Sequence, residues 1–97
     1  MQFALVAHDF TDEQALERRL SYRAAHLEGL KMMATRGQFL SGGALLNEQG
    51  RMVGSNAYFS FDSREELDAW LKVEPYVVGK VWEIIDIKEV RLFDPTC

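Results

Sequence analysis

The order of strand-like and helix-like segments limits the architectures that this chain can adopt. The apolar run from Phe3 to His8 precedes a polar turn, which is typical of a strand. A helical pattern follows; it begins at Thr11 or Asp12, whose side chains can cap free N–H groups, and stops at Gly37. Ser21 lies inside this pattern, and we expect it to break the helix because its hydroxyl competes for backbone groups.

The middle of the chain has the pattern of a β-hairpin. The apolar runs from Phe39 to Leu46 and from Met52 to Phe61 are separated by a polar turn, in which Gly50 can take a positive φ. The Gly42-Gly43 pair weakens regular strand pairing and indicates a bulge or the close approach of another group. We therefore predict that strands two and three are antiparallel neighbours.

The last third of the chain has the pattern of a helix followed by a strand. Ser63 and Glu66 have capping-box spacing and predict a short helix, which we expect Pro75 to end. The run from Val81 to Phe93 then predicts the final strand. Its apolar residues divide between two faces, with Ile85 and Ile87 on one and, on the other, Trp82, Ile84, Val90 and Leu92.

The resulting order, βαββαβ, is the split pattern of the ferredoxin-like fold, an α+β sandwich with an antiparallel sheet and helices on one face. A chain of 97 residues is long enough for one domain, which we expect to span residues 1–97. Strands one, three and four carry apolar residues on both faces, whereas two helices can cover only one face. We therefore predict a homodimer in which a second copy covers the open face.

Composition and charge argue against several classes of function. The net charge is −4 and no basic cluster is long enough to follow a phosphate backbone, which argues against nucleic acid as a partner. No apolar run approaches the ~20 residues of a membrane span, and residues 1–8 lack the features of a signal peptide, so we expect a cytoplasmic protein without a membrane partner. The single cysteine, Cys97, cannot form an intramolecular disulfide and is interpreted as a frayed terminal residue.

The segment from Arg19 to Leu30 concentrates residues capable of chemistry. Histidine exchanges a proton near neutral pH, and helical spacing puts His26 at the edge of an apolar stripe. It is therefore either a general base in a cleft or a structural histidine bonded to a backbone carbonyl. A base needs an orienting partner, and the carboxylates of Asp9 and Glu74 are the candidates. We favour Asp9, because a break at Ser21 would turn the second helical segment back towards the end of strand one.

The other candidate residues would bind a ligand. Arg23 can hold the carboxylate or phenolate of a small acidic molecule, or it can pair with acidic neighbours on the surface. Ser55 can hydrogen-bond a ligand but lacks the G-x-S-x-G context of a serine nucleophile. Tyr76 can line a pocket or pack in the core. The two histidines lack zinc-ligand spacing and no Gly-rich phosphate loop is present, so neither a metal nor a cofactor is predicted.

Several segments together resemble one family. The chain is similar to the YciI-like (YCII-related) family across positions 7–93, in the runs LERRLSYRAAHLEGL, GQFLSGGALL, VGSNAYFSFDSREELDAWL and EPYVVGKVWEIIDIKEVRLF. The resemblance implies a dimeric α+β barrel, similar in architecture to muconolactone isomerases. It also implies a small-molecule cleft with a His–Asp pair proposed as acid and base, and a link to dehydrochlorination of hydroxylated aromatics.

The family's site residues carry over by position. The family's histidine corresponds to His26 and its acid to Asp9. Its basic residue corresponds to Arg23, and its strand-three pair corresponds to Gly54-Ser55. The family's Asp-Pro-Tyr or Asp-Pro-Phe motif reads Glu74-Pro75-Tyr76 here, which moves the carboxylate by one methylene. The family's Ala-Gly-Pro at the end of strand two reads Gly42-Gly43-Ala44, so the proline is missing.

Two functions of different classes follow. In the first, the protein is a cofactor-independent enzyme, an isomerase or a dehydrochlorinase-like lyase, in which His26 transfers a proton on a small cyclic or aromatic acid. Asp9 or Glu74 would orient His26, and Arg23 would hold the anion. In the second, the same cleft belongs to a non-catalytic dimeric protein that binds a small ligand. A cofactor-free monooxygenase is a third, more distant interpretation.

Overall fold

In the computed structural model, which describes residues 1–96, the chain forms one four-stranded antiparallel sheet and three helices. The strands are β1 (Gln2–Asp9), β2 (Phe39–Leu46), β3 (Met52–Ser60) and β4 (Trp82–Val90). The helices are α1 (Ala15–Thr35), α2 (Arg64–Leu71) and α3 (Pro75–Val78). This order confirms the predicted ferredoxin-like α+β fold and adds one short helix before the last strand. The prediction made for Cys97 lies outside the described residues.

β1 lies in the interior of the sheet, whose strand order is β2-β3-β1-β4. Its side chains alternate in burial: Phe3 and Leu5 belong to the core, whereas Val6 on the opposite face is 37% exposed. β3 continues the buried face, because Phe59 lies opposite Phe3 in the strand register. The helices therefore cover one face of the sheet, and the other face is open in the single chain.

α1 is one continuous helix of 21 residues, so the predicted break at Ser21 is wrong. The Ser21 hydroxyl donates to the Arg18 carbonyl at 2.7 Å, which satisfies the side chain without ending the helix. The buried residues Arg19, His26 and Met33 recur every seven positions, so one face of an unbroken helix is turned to the sheet. As a result Arg19, two turns before His26, is the residue that reaches the end of β1. No helix within residues 1–96 combines the length and apolarity needed to cross a membrane.

The segment between α2 and β4 differs from the prediction in its use of proline. α2 begins as predicted, with the Ser63 hydroxyl accepting the Glu66 N–H at 3.2 Å, but it ends at Leu71, before the proline. Pro75 instead occupies the first turn of α3, where its missing N–H costs no hydrogen bond. Glu74 is the N-cap of that turn, so a sequence signal expected to end one helix begins another.

β4 is irregular where it passes the end of β1. His8 lies opposite Ile84 and Asp9 lies opposite Trp82, so Glu83 is the additional residue of a bulge. The bulge turns Trp82 towards the helix-covered face, where it is 5% exposed, and leaves Ile84 57% exposed. The prediction that Trp82 and Ile84 share a face is therefore wrong. Side chains of a regular strand alternate between its two faces, and the additional residue of a bulge shifts that alternation.

Candidate functional site

His26 and Glu74 form a buried pair between α1 and α3. Nδ1 of His26 is hydrogen-bonded to Oε1 of Glu74, and the two side chains are only 9% and 1% exposed. The same Oε1 accepts the backbone N–H of Tyr76 at 3.1 Å, because Glu74 caps α3. This second bond holds the carboxylate in place, and the carboxylate in turn orients the imidazole. The preference for Asp9 as the partner of His26 is therefore wrong; the unbroken helix brings His26 to Glu74.

Asp9 and Arg19 form a second buried pair at the end of β1. Nη1 of Arg19 donates to both carboxylate oxygens of Asp9 at 3.0 Å, and Nη2 donates to the Ser55 hydroxyl at 2.9 Å. Nε1 of Trp82 donates to the same hydroxyl at 3.1 Å. Burial raises the pKa of Asp9, and the neighbouring Arg19 guanidinium opposes the rise. The polar end of the site is thus a fixed network built from β1, α1, β3 and β4.

Tyr76 lies between the two pairs. Its ring stacks on His26 with a centroid distance of 3.9 Å and an interplanar angle of 12°. Cζ of Arg19 lies 4.8 Å from the centroid of the Tyr76 ring, within the range of a cation–π contact. Trp82 approaches Tyr76 edge-on at 5.6 Å. Burial raises the pKa of the Tyr76 hydroxyl, and the nearby arginines oppose this.

A cavity of about 330 Å³ opens beside these groups, between α1 and the sheet. Five site side chains line it, namely Arg19, His26, Ser55, Tyr76 and Trp82. Apolar residues of α1, β1 and β3 and the Gly42-Gly43 segment of β2 form the other walls. The volume lies at the low end of the range for small-molecule sites, which suits a ligand of one ring. Neither Asp9 nor Glu74 lines this cavity, so each carboxylate stands behind a basic group that does.

Comparison with known proteins adds the family. A family model described as the YCII-related domain matches residues 1–91. This chain belongs to the YCII-related family. Protein YciI of Escherichia coli O6:H1 and Protein YciI of Shigella flexneri are each 34% identical to it over 97 residues, which cover 94% of this chain and 97% of theirs.

Solved structures share the fold of this YCII-related chain. One is 5-chloro-2-hydroxyhydroquinone dehydrochlorinase from Burkholderia phenoliruptrix, in complex with 2,5-dihydroxybenzoquinone, with a TM-score of 0.81, 20% identity and 94% coverage of both chains. A second is a dimeric ferredoxin-like protein of unknown function from Jannaschia sp., with a TM-score of 0.56 and 16% identity, covering 92% of this chain and 98% of its own. At these identities the likeness extends to the fold alone.

The YCII-related chain brings most of the predicted site residues together. Ser55 and Tyr76 line the cavity with His26, and Glu74 lies directly behind the histidine. Arg23 lies on the cavity wall but is exposed, and Asp9 is withdrawn behind Arg19.

Sequence reasoning missed two residues of the YCII-related site, Arg19 and Trp82. The seven-residue spacing from Arg19 to His26 would have put both on one face, but the expected break at Ser21 separated them. For Trp82 the sequence carries no such signal, because the bulge at Glu83 decides its direction. Trp70, the other tryptophan of the chain, does not line the cavity and instead packs on Phe59 of the core, with a centroid distance of 4.6 Å.

Proposed function

We propose that this YCII-related protein is a cofactor-independent enzyme in which His26 transfers a proton on a small cyclic or aromatic acid. The observation that carries the proposal is the buried His26–Glu74 pair at the wall of a ring-sized cavity. Nδ1 of His26 is engaged by Glu74, and Nε2 has no hydrogen-bond partner among residues 1–96. A histidine that is oriented at one nitrogen and free at the other is the arrangement that general acid–base catalysis requires.

The chemistry open to such a site is proton transfer on carbon. As a base, Nε2 takes a proton from a saturated ring carbon, such as one in a keto tautomer of a hydroxylated ring, and the electrons of the broken C–H bond form a C=C bond. If the neighbouring carbon bears a halogen, the C–X electron pair leaves as halide, and the result is dehydrohalogenation. If the neighbouring carbon instead belongs to a C=C bond, the π electrons of that bond move to its far carbon, which takes the proton back from His26, and the result is isomerisation. Both outcomes balance without an oxidant, a metal or a bound cofactor.

The second pair would hold the substrate. Arg19 keeps its positive charge at any physiological pH and lines the cavity, so it can neutralise a carboxylate or phenolate. Asp9 contacts Arg19 and not the cavity, which makes it a positioning residue for the guanidinium in our proposal. Arg23 at the exposed wall would attract the anion as it enters.

We also propose that the functional unit is a homodimer formed by sheet-to-sheet contact. Val6, Tyr58 and Ile84 are 37%, 37% and 57% exposed on β1, β3 and β4. The dimeric ferredoxin-like neighbour from Jannaschia supports a pair of this fold as a stable unit. Sedimentation equilibrium at micromolar concentration should give twice the chain mass, and a mass of one chain would contradict the dimer.

The experiment for the catalytic proposal measures proton transfer and halide release directly. 5-Chloro-2-hydroxyhydroquinone, the compound in the name of the Burkholderia neighbour, is assayed for chloride release. Hydrogen–deuterium exchange at the ring C–H of 2,5-dihydroxybenzoquinone is followed by NMR in D₂O. We expect the protein to accelerate at least one of these, and His26→Gln to abolish the acceleration.

His8→Gln is the matched control, because His8 is the other histidine, is exposed and does not line the cavity. It should keep both activities. The alternative function is a dimeric protein that binds a small ligand without turnover, which the largely apolar walls of the cavity also suit. Binding of 2,5-dihydroxybenzoquinone by wild type and His26→Gln alike, with no exchange and no chloride release by either, would favour that alternative.

A further inference from the structure

The Ser55 hydroxyl receives two hydrogen bonds from groups that can only donate. Nη2 of Arg19 is 2.9 Å from its oxygen, and Nε1 of Trp82 is 3.1 Å from it. A guanidinium and an indole N–H have no acceptor function, so the Ser55 oxygen accepts both bonds. A hydroxyl has two lone pairs and one proton, and both lone pairs are thereby used.

The proton of Ser55 therefore remains to be donated. The Ser55 hydroxyl donates no hydrogen bond within residues 1–96, although Ser55 is only 5% exposed. Ser55 also lines the cavity. With both lone pairs taken, the hydroxyl proton is left for a ligand atom in this cavity to accept.

Arg19, which donates to Ser55, also carries an unused donor. Its Nε is the one buried side-chain nitrogen or oxygen without a hydrogen-bond partner in the described part of the chain. The Arg19 side chain is 4% exposed and lines the cavity. The polar end of the cavity therefore offers donors and positive charge, which is the complement of an anionic oxygen.

We propose that Ser55 donates its hydroxyl proton to an anionic or developing anionic oxygen on the ring of the ligand, with Arg19 supplying the charge. The ligand class is thus a planar ring bearing a carboxylate, a phenolate or a carbonyl that becomes an enolate. Arg19 and Trp82 set the direction of this donation by occupying the lone pairs of Ser55. We call the place where Ser55 and Arg19 would bind this oxygen the oxygen subsite. The placement of the reacting carbon near His26 rests on the proposed function, whereas the oxygen subsite does not.

Trp82 relates the oxygen subsite to the proposed base. Its Nε1 bonds Ser55, and its ring lies 5.9 Å from the His26 ring, centroid to centroid. For a ligand whose carbonyl oxygen binds at Ser55, the carbon on which His26 would act is the ring carbon next to the carbonyl carbon. When Nε2 takes the proton from that carbon, the C–H electrons form a C=C bond and the carbonyl π electrons move onto oxygen. The resulting oxyanion is the species that the Ser55 proton and Arg19 stabilise.

The test uses two ring probes of similar size, of which only one carries anionic oxygen. Benzoate carries an anionic oxygen on a ring, and toluene is a ring of similar size without one. Binding of each is measured by NMR titration for wild type, Ser55→Ala and the control Ser41→Ala, whose serine lies on β2 and does not line the cavity. We expect Ser55→Ala to weaken benzoate binding about tenfold, as for loss of a hydrogen bond to a charged group, and to leave toluene binding unchanged.

A second variant maintains the test if Ser55→Ala does not fold. Trp82→Phe frees one lone pair of Ser55, so the hydroxyl can turn away from the cavity. We expect it to lower the ratio of benzoate affinity to toluene affinity, whatever it does to either alone. An unchanged ratio in both folded variants, or equal loss of both probes in Ser55→Ala, would overturn the proposal.

The two proposals fail in different ways. If Ser55→Ala loses its preference for benzoate while wild type catalyses neither exchange nor chloride release, the oxygen subsite stands and the catalytic proposal fails. If His26→Gln abolishes exchange while Ser55→Ala binds benzoate as wild type does, the reverse holds.

Discussion

The two buried carboxylates of this protein have the same relation to the cavity but different partners. Glu74 stands behind His26, and Asp9 stands behind Arg19. Imidazole gains and loses a proton near neutral pH, whereas a guanidinium remains charged. The first pair is therefore suited to moving a proton and the second to holding a charge in place. The basic partner, rather than the carboxylate, decides what each pair can do.

The two carboxylates also differ in their place on the backbone and in the number of bonds to their partners. Glu74 is the N-cap of the four-residue helix α3 and binds its partner through one oxygen. Asp9 ends β1 beside the bulge of β4, and both of its oxygens bind Arg19. A single bond leaves the histidine free to change its protonation state, whereas the pair of bonds from one nitrogen fixes the guanidinium against the carboxylate.

The largest effect should follow from removing the charge behind the histidine. Glu74→Gln keeps the shape of the side chain and can still cap α3, but it no longer stabilises a protonated His26 ring. We expect the proposed proton transfer to fall by about 10²–10⁴-fold, as when a buried carboxylate behind a catalytic histidine becomes an amide. The rate is measured in the deuterium exchange assay, with the exposed Glu83→Gln as the matched control. Equal rates in Glu74→Gln and Glu83→Gln would mean that Glu74 does not assist His26.

The next effect is a loss of stability and concerns the buried Asp9–Arg19 pair. Arg19→Met preserves the apolar stem but leaves Asp9 buried without its partner, and we expect a loss of about 3–5 kcal/mol in the free energy of unfolding. Arg23→Met is the control: Arg23 is exposed and forms no ion pair within residues 1–96, so its loss should be below about 1 kcal/mol. Urea unfolding measures both. Similar losses in the two variants would contradict a buried structural role for the Arg19–Asp9 pair.

The double variant sharpens this comparison. Asp9→Asn combined with Arg19→Met removes both charges and should recover about 1–3 kcal/mol relative to Arg19→Met alone, because an unpaired buried charge no longer remains. A double-mutant cycle in urea measures the coupling energy between the two residues. Strict additivity of the two single losses would indicate that Asp9 and Arg19 do not interact in solution.

The sequence predicted the strands better than the helices, for a physical reason. Strand patterns depend on alternation over a few residues, and β2 has the predicted bounds of Phe39 to Leu46. The predicted break at Ser21 failed because a serine hydroxyl can bond a carbonyl three residues earlier within an intact helix. That single error moved His26 away from Glu74 in the prediction and towards Asp9.

Four residues of the candidate site could be predicted from the sequence, but the pairing of its acidic and basic groups could not. His26, Ser55, Tyr76 and Glu74 all lie at the cavity or directly behind it. Which carboxylate meets which base depends on the helix phase across two turns and on a bulge in another strand, and neither is a local property of the sequence. Trp82 was unpredictable for the same reason, because a one-residue bulge at Glu83 reverses the face on which it lies.

The smallest effect is on the pH dependence of stability. It compares the buried Asp9–Arg19 pair with the surface pair Asp12–Arg18, whose arginine precedes Arg19 on α1. Asp12 binds Arg18 at the surface, and the hydrogen bond from Arg18 lowers the pKa of Asp12, whereas burial raises the pKa of Asp9. The folded state thus binds a proton at Asp9 more readily than the unfolded chain does, so this contribution to stability is present at low pH and is lost as pH rises through the folded pKa. Asp12 behaves oppositely, and its contribution is lost as pH falls. NMR titration of the two carboxyl carbons should give pKa values on opposite sides of 3.8, the ordinary value for an aspartate. Asp9→Asn should remove the loss of stability above that pH, and Asp12→Asn should retain it. If both carboxyl groups titrate below 3.8, the ion pair outweighs burial at Asp9 and the two pairs differ in exposure but not in the balance of forces.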